Sequence, residues 1–167
     1  PQSWITWVTA PGSEPLVRDQ RVDEIISLDA EGILSLEGRK FDSLYCLDKD
    51  TSALALSRKI DSNHKFGYAP SPYYNVSVWN KGSEYALRMG LSAEFKYRMN
   101  EKTHQEILCM MCDLDFQRDE YNLNISEQSR QRAEKKLTQK GIKHQKTIVG
   151  INTGCGPVFQ TKAWTLP

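Results

Sequence analysis

A chain of 167 residues that is 39% hydrophobic and 26% charged has the balance of a folded globular protein and is long enough to bury a core of ordinary size. A formal net charge of +1 provides no basic field, which argues against nucleic acid as the partner. Four cysteines are too few for a disulfide scaffold, and no stretch reaches the roughly 20 apolar residues that cross a bilayer, so the expectation is a cytoplasmic protein in a reducing compartment, or one that has lost its beginning.

Trp4-Ile-Thr-Trp-Val-Thr9 is β-branched and aromatic throughout and predicts a strand buried on both faces. A two-sided apolar strand opening so near residue 1 is a first hint that a preceding segment is missing, and truncation is expected. Ser13 to Asp19 predicts a short capped helix and Val22 to Leu28 a second strand. Gly32 to Arg39 is ambiguous, with Ile33 and Leu36 spaced for a short helix that ends at Gly38.

Phe41 to Leu47 predicts the next buried strand, Asp48-Lys-Asp-Thr-Ser52 a polar turn, and Ala53 to Ile60 a helix with Asp50 or Thr51 as N-cap. With His64 to Tyr68 as the return strand, this is a βαβ unit, so the fold class is α/β with a parallel sheet. Ligands of such sheets sit beyond the carboxyl ends of the strands, which makes Asp48, Lys49 and Asp50 substrate-side candidates. The alternative is that the two acids cap the helix and the lysine is solvated.

From Ala69 to Asn80 the pattern fails, with Pro70, Pro72, Tyr73, Tyr74 and Trp79, and a long aromatic loop is expected. Gly82 to Met89 and Thr103 to Leu114 predict core helices. Cys109-Met-Met-Cys112, with His104 upstream, formally matches a metal or redox pair. It lies in a helical pattern without a second such pair, so two core cysteines and no metal are expected. Asn75-Val-Ser and Asn124-Ile-Ser match the glycosylation sequon, a match common by chance.

Ser126 caps a charged helix, Glu127 to Lys140, that stops at Gly141 and reads as a connector between domains. Thr147 to Ile151 then predicts a fresh buried strand emptying into Asn152-Thr-Gly-Cys-Gly156, a turn suited to backbone approach, with Lys162 and Trp164 beyond it. The glycine pattern lacks the third glycine of the dinucleotide fingerprint and the Gly-Lys-Ser/Thr of the phosphate loop, which disfavours both classes.

Asn152-Thr-Gly-Cys-Gly followed by Thr161-Lys-Ala-Trp-Thr-Leu-Pro167 resembles the N-x-G-A-G and [S/T]-K-x-W-P motifs of glycosyltransferase family 9, the ADP-heptose:lipopolysaccharide heptosyltransferases and relatives. Trp4 to Thr9 with Val22 to Ile26, and Leu47-Asp-Lys-Asp50 with Lys65-Phe-Gly-Tyr68, are similar to parts of that family's amino-terminal domain in the same order. Cys155 stands where alanine is usual, and Thr165-Leu166 interrupts the expected Trp-Pro.

The resemblance implies a GT-B enzyme of two Rossmann-like domains. It assigns 1–125 to an acceptor-side domain whose first strand would precede residue 1, 126–145 to the connecting helix, and 146–167 to the start of the donor-binding domain. On this expectation the chain is an inactive piece of a longer enzyme whose general base lies before residue 1. The implied partners are a nucleotide-sugar donor such as ADP-heptose and a glycan or glycolipid acceptor met at the inner face of the cytoplasmic membrane, with no cofactor. Thr153, Gly154, Cys155, Gly156, Thr161 and Lys162 would hold the donor diphosphate, and Asp48, Lys49 and Asp50 would face the acceptor. The competing reading is a non-catalytic module that binds a nucleotide or sugar phosphate.

Overall fold

A computed structural model describes residues 3–19, 21–73, 75–121, 125–142, 147 and 149–151. The chain divides into two units, 1–122 and 123–167. The first is a mixed α/β assembly, in keeping with the expected α/β class. Its strands form two sheets among the described residues, rather than the single parallel sheet expected.

In the first sheet β1 (Thr6–Thr9) runs parallel to β2 (Glu24–Ser27), with the short helix α1 (Glu14–Val17) between them. The strand expected over Trp4 to Thr9 is shorter and wetter than its composition suggests, because Trp4 is 71% and Trp7 46% exposed. Only Ile26 of the two strands is fully buried. A β-branched run specifies that a strand forms, not that both faces find cover. Helix α2 (Ala30–Ser35) follows, its first turn capped by the Asp29 carboxylate, which accepts from the Gly32 amide at 2.9 Å. A Cβ at Gly32 would overlap the Ser27 carbonyl, so glycine is what lets α2 lie against the end of β2.

A two-pronged ion pair ties this sheet to the approach of β3. Arg39 donates to both carboxylate oxygens of Glu24, at 3.1 and 2.7 Å, and the Thr6 hydroxyl donates to the same carboxylate at 2.9 Å. The bond from Arg39, aided by that from Thr6, holds the Glu24 carboxyl below the usual range, while Arg39 is raised and stays charged. With the folded pKa the lower one, the contribution is present above the unfolded value of about 4.3 and is lost as pH falls through the folded value. Both side chains are one-third exposed, which limits the magnitude. Glu24→Gln is therefore expected to cost about 0.5 to 1 kcal/mol near neutrality and almost nothing in strong acid, a difference that urea melts at the two pH values would read.

The second sheet is ordered β3-β4-β5. β3 (Lys40–Cys46) and β4 (Asp61–Pro70) are parallel, joined by α3 (Thr51–Lys59), so the expected βαβ unit is present. β3 is less buried than expected: Cys46 is its one fully buried residue, and Tyr45 stays 49% exposed while stacking on Phe66. The expected aromatic loop over Ala69 to Asn80 is instead a hairpin. β5 (Val76–Val78) pairs antiparallel with β4, Tyr68 opposite Val78 and Pro70 opposite Val76, and the Ser71 amide closes the turn on the Asn75 carbonyl at 2.7 Å. The prolines are compatible because Pro70 ends β4 beyond its last pairing with β3, at Gly67, and Pro72 sits in the turn.

A tight turn over Lys81–Ser83 leads into α4 (Glu84–Leu91), a wide turn spans Phe95–Met99, and α5 (His104–Met111) follows. Thr103 and Glu106 close a reciprocal cap on α5, the Glu106 carboxylate accepting from the Thr103 amide at 2.7 Å. Cys46, Leu54, Tyr68, Ala86, Ile107 and Met111 form the larger core, each large apolar side chain contributing about 2 to 3 kcal/mol on burial. Ile26, Leu36 and Ile60 form a smaller one with Val8, Phe41, Leu44 and Leu56 against it.

In the second unit the described helix is α6 (Glu127–Gln139), capped by Ser126, whose hydroxyl accepts from the Ser129 amide at 3.2 Å, and stopped at Gly141 with φ of 69°. No residue of α6 is buried. The buried strand expected over Thr147 to Ile151 is corrected: residues 147 and 149–151 lie outside strands and are exposed, Val149 by 76% and Ile151 by 63%. An apolar run becomes a strand only where a ladder partner meets it.

Candidate functional site

Among the described residues, the polar groups that the sequence singled out for a site stand at the carboxyl end of β3. β3 delivers Leu47, Asp48, Lys49 and Asp50 into the loop before α3, all exposed. The loop holds itself in shape, the Asp48 carboxylate accepting from the Asp50 amide at 3.0 Å and the Cys46 thiol donating to the Asp48 carbonyl at 3.5 Å. Burial pushes the Cys46 thiol up, so it stays protonated and serves as a packing group. Asp50 is the N-cap of α3 by its backbone, with no side-chain cap bond. Asp48 shapes the loop and Asp50 starts the helix, which leaves Lys49 without a structural duty of either kind.

The Lys49 ammonium stands 5.5 Å above the ring centre of Tyr68, a contact worth about 0.5 to 1 kcal/mol at an exposed position. Tyr68 is 7% exposed, and burial raises its phenol. Val76, Ala86, Leu87, Gly90 and Leu91 complete a cleft of about 120 Å³ around the ammonium. A second cavity, about 180 Å³, lies at the amino ends of the same strands, against Arg39, Lys59 and Asp61, away from the edge where α/β sheets bind ligands.

The far side of this edge rests on a polar knot absent from the sequence reading. Asn80 accepts from the Gly67 amide at 3.1 Å and from the Ser83 hydroxyl at 2.6 Å, and donates to the Met111 carbonyl at 3.1 Å. Ser83 is fully buried, and the Trp79 amide returns a bond to the Gly67 carbonyl at 2.9 Å. An asparagine three residues before a serine at a helix start is the signal that could have exposed it. Lys65 is also structural: its ammonium donates to the carbonyls of Ser57 and Arg58 at 2.7 and 3.3 Å, lies 4.9 Å over the Trp79 ring, and is lowered by burial.

Cys109 and Cys112 are half-buried thiols at the end of α5. Burial and the neighbouring Cys109 raise Cys112, at the carbonyl end of a helix where a thiolate is disfavoured. Among the described residues no three His, Cys, Asp or Glu side chains gather as a metal site, and no helix is long and apolar enough to cross a membrane. Thr153, Gly154, Cys155, Gly156, Thr161 and Lys162, expected at the donor diphosphate, lie outside the described residues. The chain matches no family model, no curated protein and no solved structure.

Proposed function

We propose that the chain is a segment of a GT-B glycosyltransferase with Rossmann-like domains, holding the acceptor-side domain over 1–125, the connecting helix over 126–145 and the start of the donor-binding domain over 146–167. The whole enzyme transfers a sugar, a heptose in the family the chain resembles, from a nucleoside diphosphate to a lipopolysaccharide or related glycan at the inner face of the cytoplasmic membrane. One observation carries the reading: Asn152-Thr-Gly-Cys-Gly156 and Thr161-Lys-Ala-Trp164 occur in that order after a βαβ unit whose turn is Asp48-Lys-Asp50.

The chemistry requires what those residues offer. Sugar transfer builds positive charge at the anomeric carbon and negative charge on the departing diphosphate, so fixed donors and a cation at the phosphates lower the barrier. In this reading Lys162 supplies the cation, Thr153 and Thr161 supply hydroxyls, and the backbone from Gly154 to Gly156 supplies amides. The acceptor lies across the carboxyl edge of β3, beside Asp48, Lys49 and Asp50.

A transfer assay on the natural gene product tests this. ADP-heptose with a lipopolysaccharide-core acceptor is expected to give acceptor-dependent ADP release. Donor binding without turnover would favour the non-catalytic module instead, and neither binding nor release would end the glycosyl-transfer reading.

A further inference from the structure

We propose that the cleft between the end of β3 and α4 is an anion subsite that takes the carboxylate or phosphate of an acidic sugar, with Lys49 as its charge partner. The sugar half of this assignment rests on the glycosyl-transfer reading; the anion half rests on the cleft alone.

Three features of the cleft agree. Among the described residues its only cation is the Lys49 ammonium, and the others that line it, Val76, Ala86, Leu87, Gly90 and Leu91, carry no ionisable side chain. Among the described residues no carboxylate lies within ion-pair distance of that ammonium, although aspartates flank Lys49 on both sides in sequence. The nearer explanation for an idle lysine, that it neutralises its neighbours, therefore fails: Asp48 is engaged by the Asp50 amide and Asp50 begins α3. The ammonium is left beside the Tyr68 ring, 5.5 Å from its centre, at the wall of the cleft.

The surroundings then select the ligand. Val76 and the leucines of α4 offer apolar walls that suit the C–H face of a sugar ring, while the ammonium, steadied over the Tyr68 ring, suits a single anionic substituent on it. The volume of about 120 Å³ admits one substituent and part of a ring, not a nucleotide. Gly90 lines the cleft, where a Cβ would make ordinary contact with the Lys49 nitrogen at 3.9 Å and a longer side chain would fill the space. Gly90 lies inside α4, so helix-forming replacements suit its backbone.

The test is amide chemical-shift titration of the 167-residue chain with galacturonate, galactose 6-phosphate, galactose and inorganic phosphate. Both acidic sugars are expected to move the Tyr68, Gly90 and Leu91 signals with Kd of about 1 mM, galactose at the same concentrations to leave them in place, and inorganic phosphate to bind more weakly than the sugar phosphate. Lys49→Met should weaken the acidic sugars by about tenfold or more, and Gly90→Leu should abolish their binding while the melting temperature holds or rises. Equal binding of galactose, unchanged affinity in Lys49→Met, or no shift with either acid would overturn the proposal. Inorganic phosphate binding as tightly as the sugar phosphate would overturn its sugar half. None of these readouts involves a donor or turnover, so their failure is distinct from a failure of ADP release.

Discussion

Gly67→Ala is expected to cost about 3 to 5 kcal/mol, a large share of the roughly 5 to 15 kcal/mol that holds a domain folded. Two penalties add at this position. Gly67 has φ of 91°, a conformation that an L side chain rarely adopts, worth about 1 to 3 kcal/mol by itself. A Cβ there would also overlap the carbonyl oxygen of Cys46 on β3, and a backbone atom in a paired strand cannot step aside as a flexible side chain can. Relief requires β4 to move away from β3 where Asn80 clasps the Gly67 amide, so the strain spreads into the bonds to Ser83 and Met111. Gly38→Ala is the control, since Gly38 has φ of 75° and nothing within 4 Å of a Cβ. Urea denaturation of both variants separates the two penalties; equal losses would show that the contact with Cys46 is not limiting.

Lys162→Ala in the natural gene product is expected to lower kcat/KM for the nucleotide-sugar donor by about 100-fold to 1,000-fold. On the proposed chemistry the lysine faces charge that grows as the diphosphate departs, so the loss should fall mainly on kcat. Lys162→Arg should recover part of the rate, because it keeps the charge but changes the shape of the donor group. A melting temperature equal to that of the unaltered protein would separate the kinetic effect from folding. Unaltered kinetics would make Lys162 an ordinary surface residue and remove the main support for the donor-loop assignment.

These two positions differ in how they reach the sequence. The βαβ unit through β3, α3 and β4 was legible because apolar runs, a polar turn and an alanine-containing helix follow each other at the spacing a parallel crossover demands. The cap of α6 was legible too, since Ser126 is a local signal whose partner lies within three residues, whereas the equally local pair Thr103 and Glu106 of α5 passed unread. The hairpin of β4 and β5 was not, because Pro70, Pro72 and Tyr73 mask a three-residue strand whose evidence is its partner. Strand partition escaped for the same reason: residue type declares a strand, while its neighbours are chosen by packing.

Of the candidate site, Asp48 to Asp50 was found from its place after a strand, but not the division of labour within it. That division depends on which carboxylate meets the Asp50 amide and on Tyr68, nineteen positions after Lys49, lying under the ammonium. Asn80 was missed because its partners, Gly67 and Met111, lie far away along the chain.

Lys65 governs which alignment of β3 and β4 is allowed. A slip of β4 by one residue would reverse the faces of the strand and carry the ammonium to the side away from α3. A slip by two would restore the face yet draw the nitrogen off the carbonyls of Ser57 and Arg58 by about 7 Å. Either misalignment strands a charge that the native one satisfies with two carbonyls and the Trp79 ring. Its effect is to raise the competing registers rather than to lower the native one.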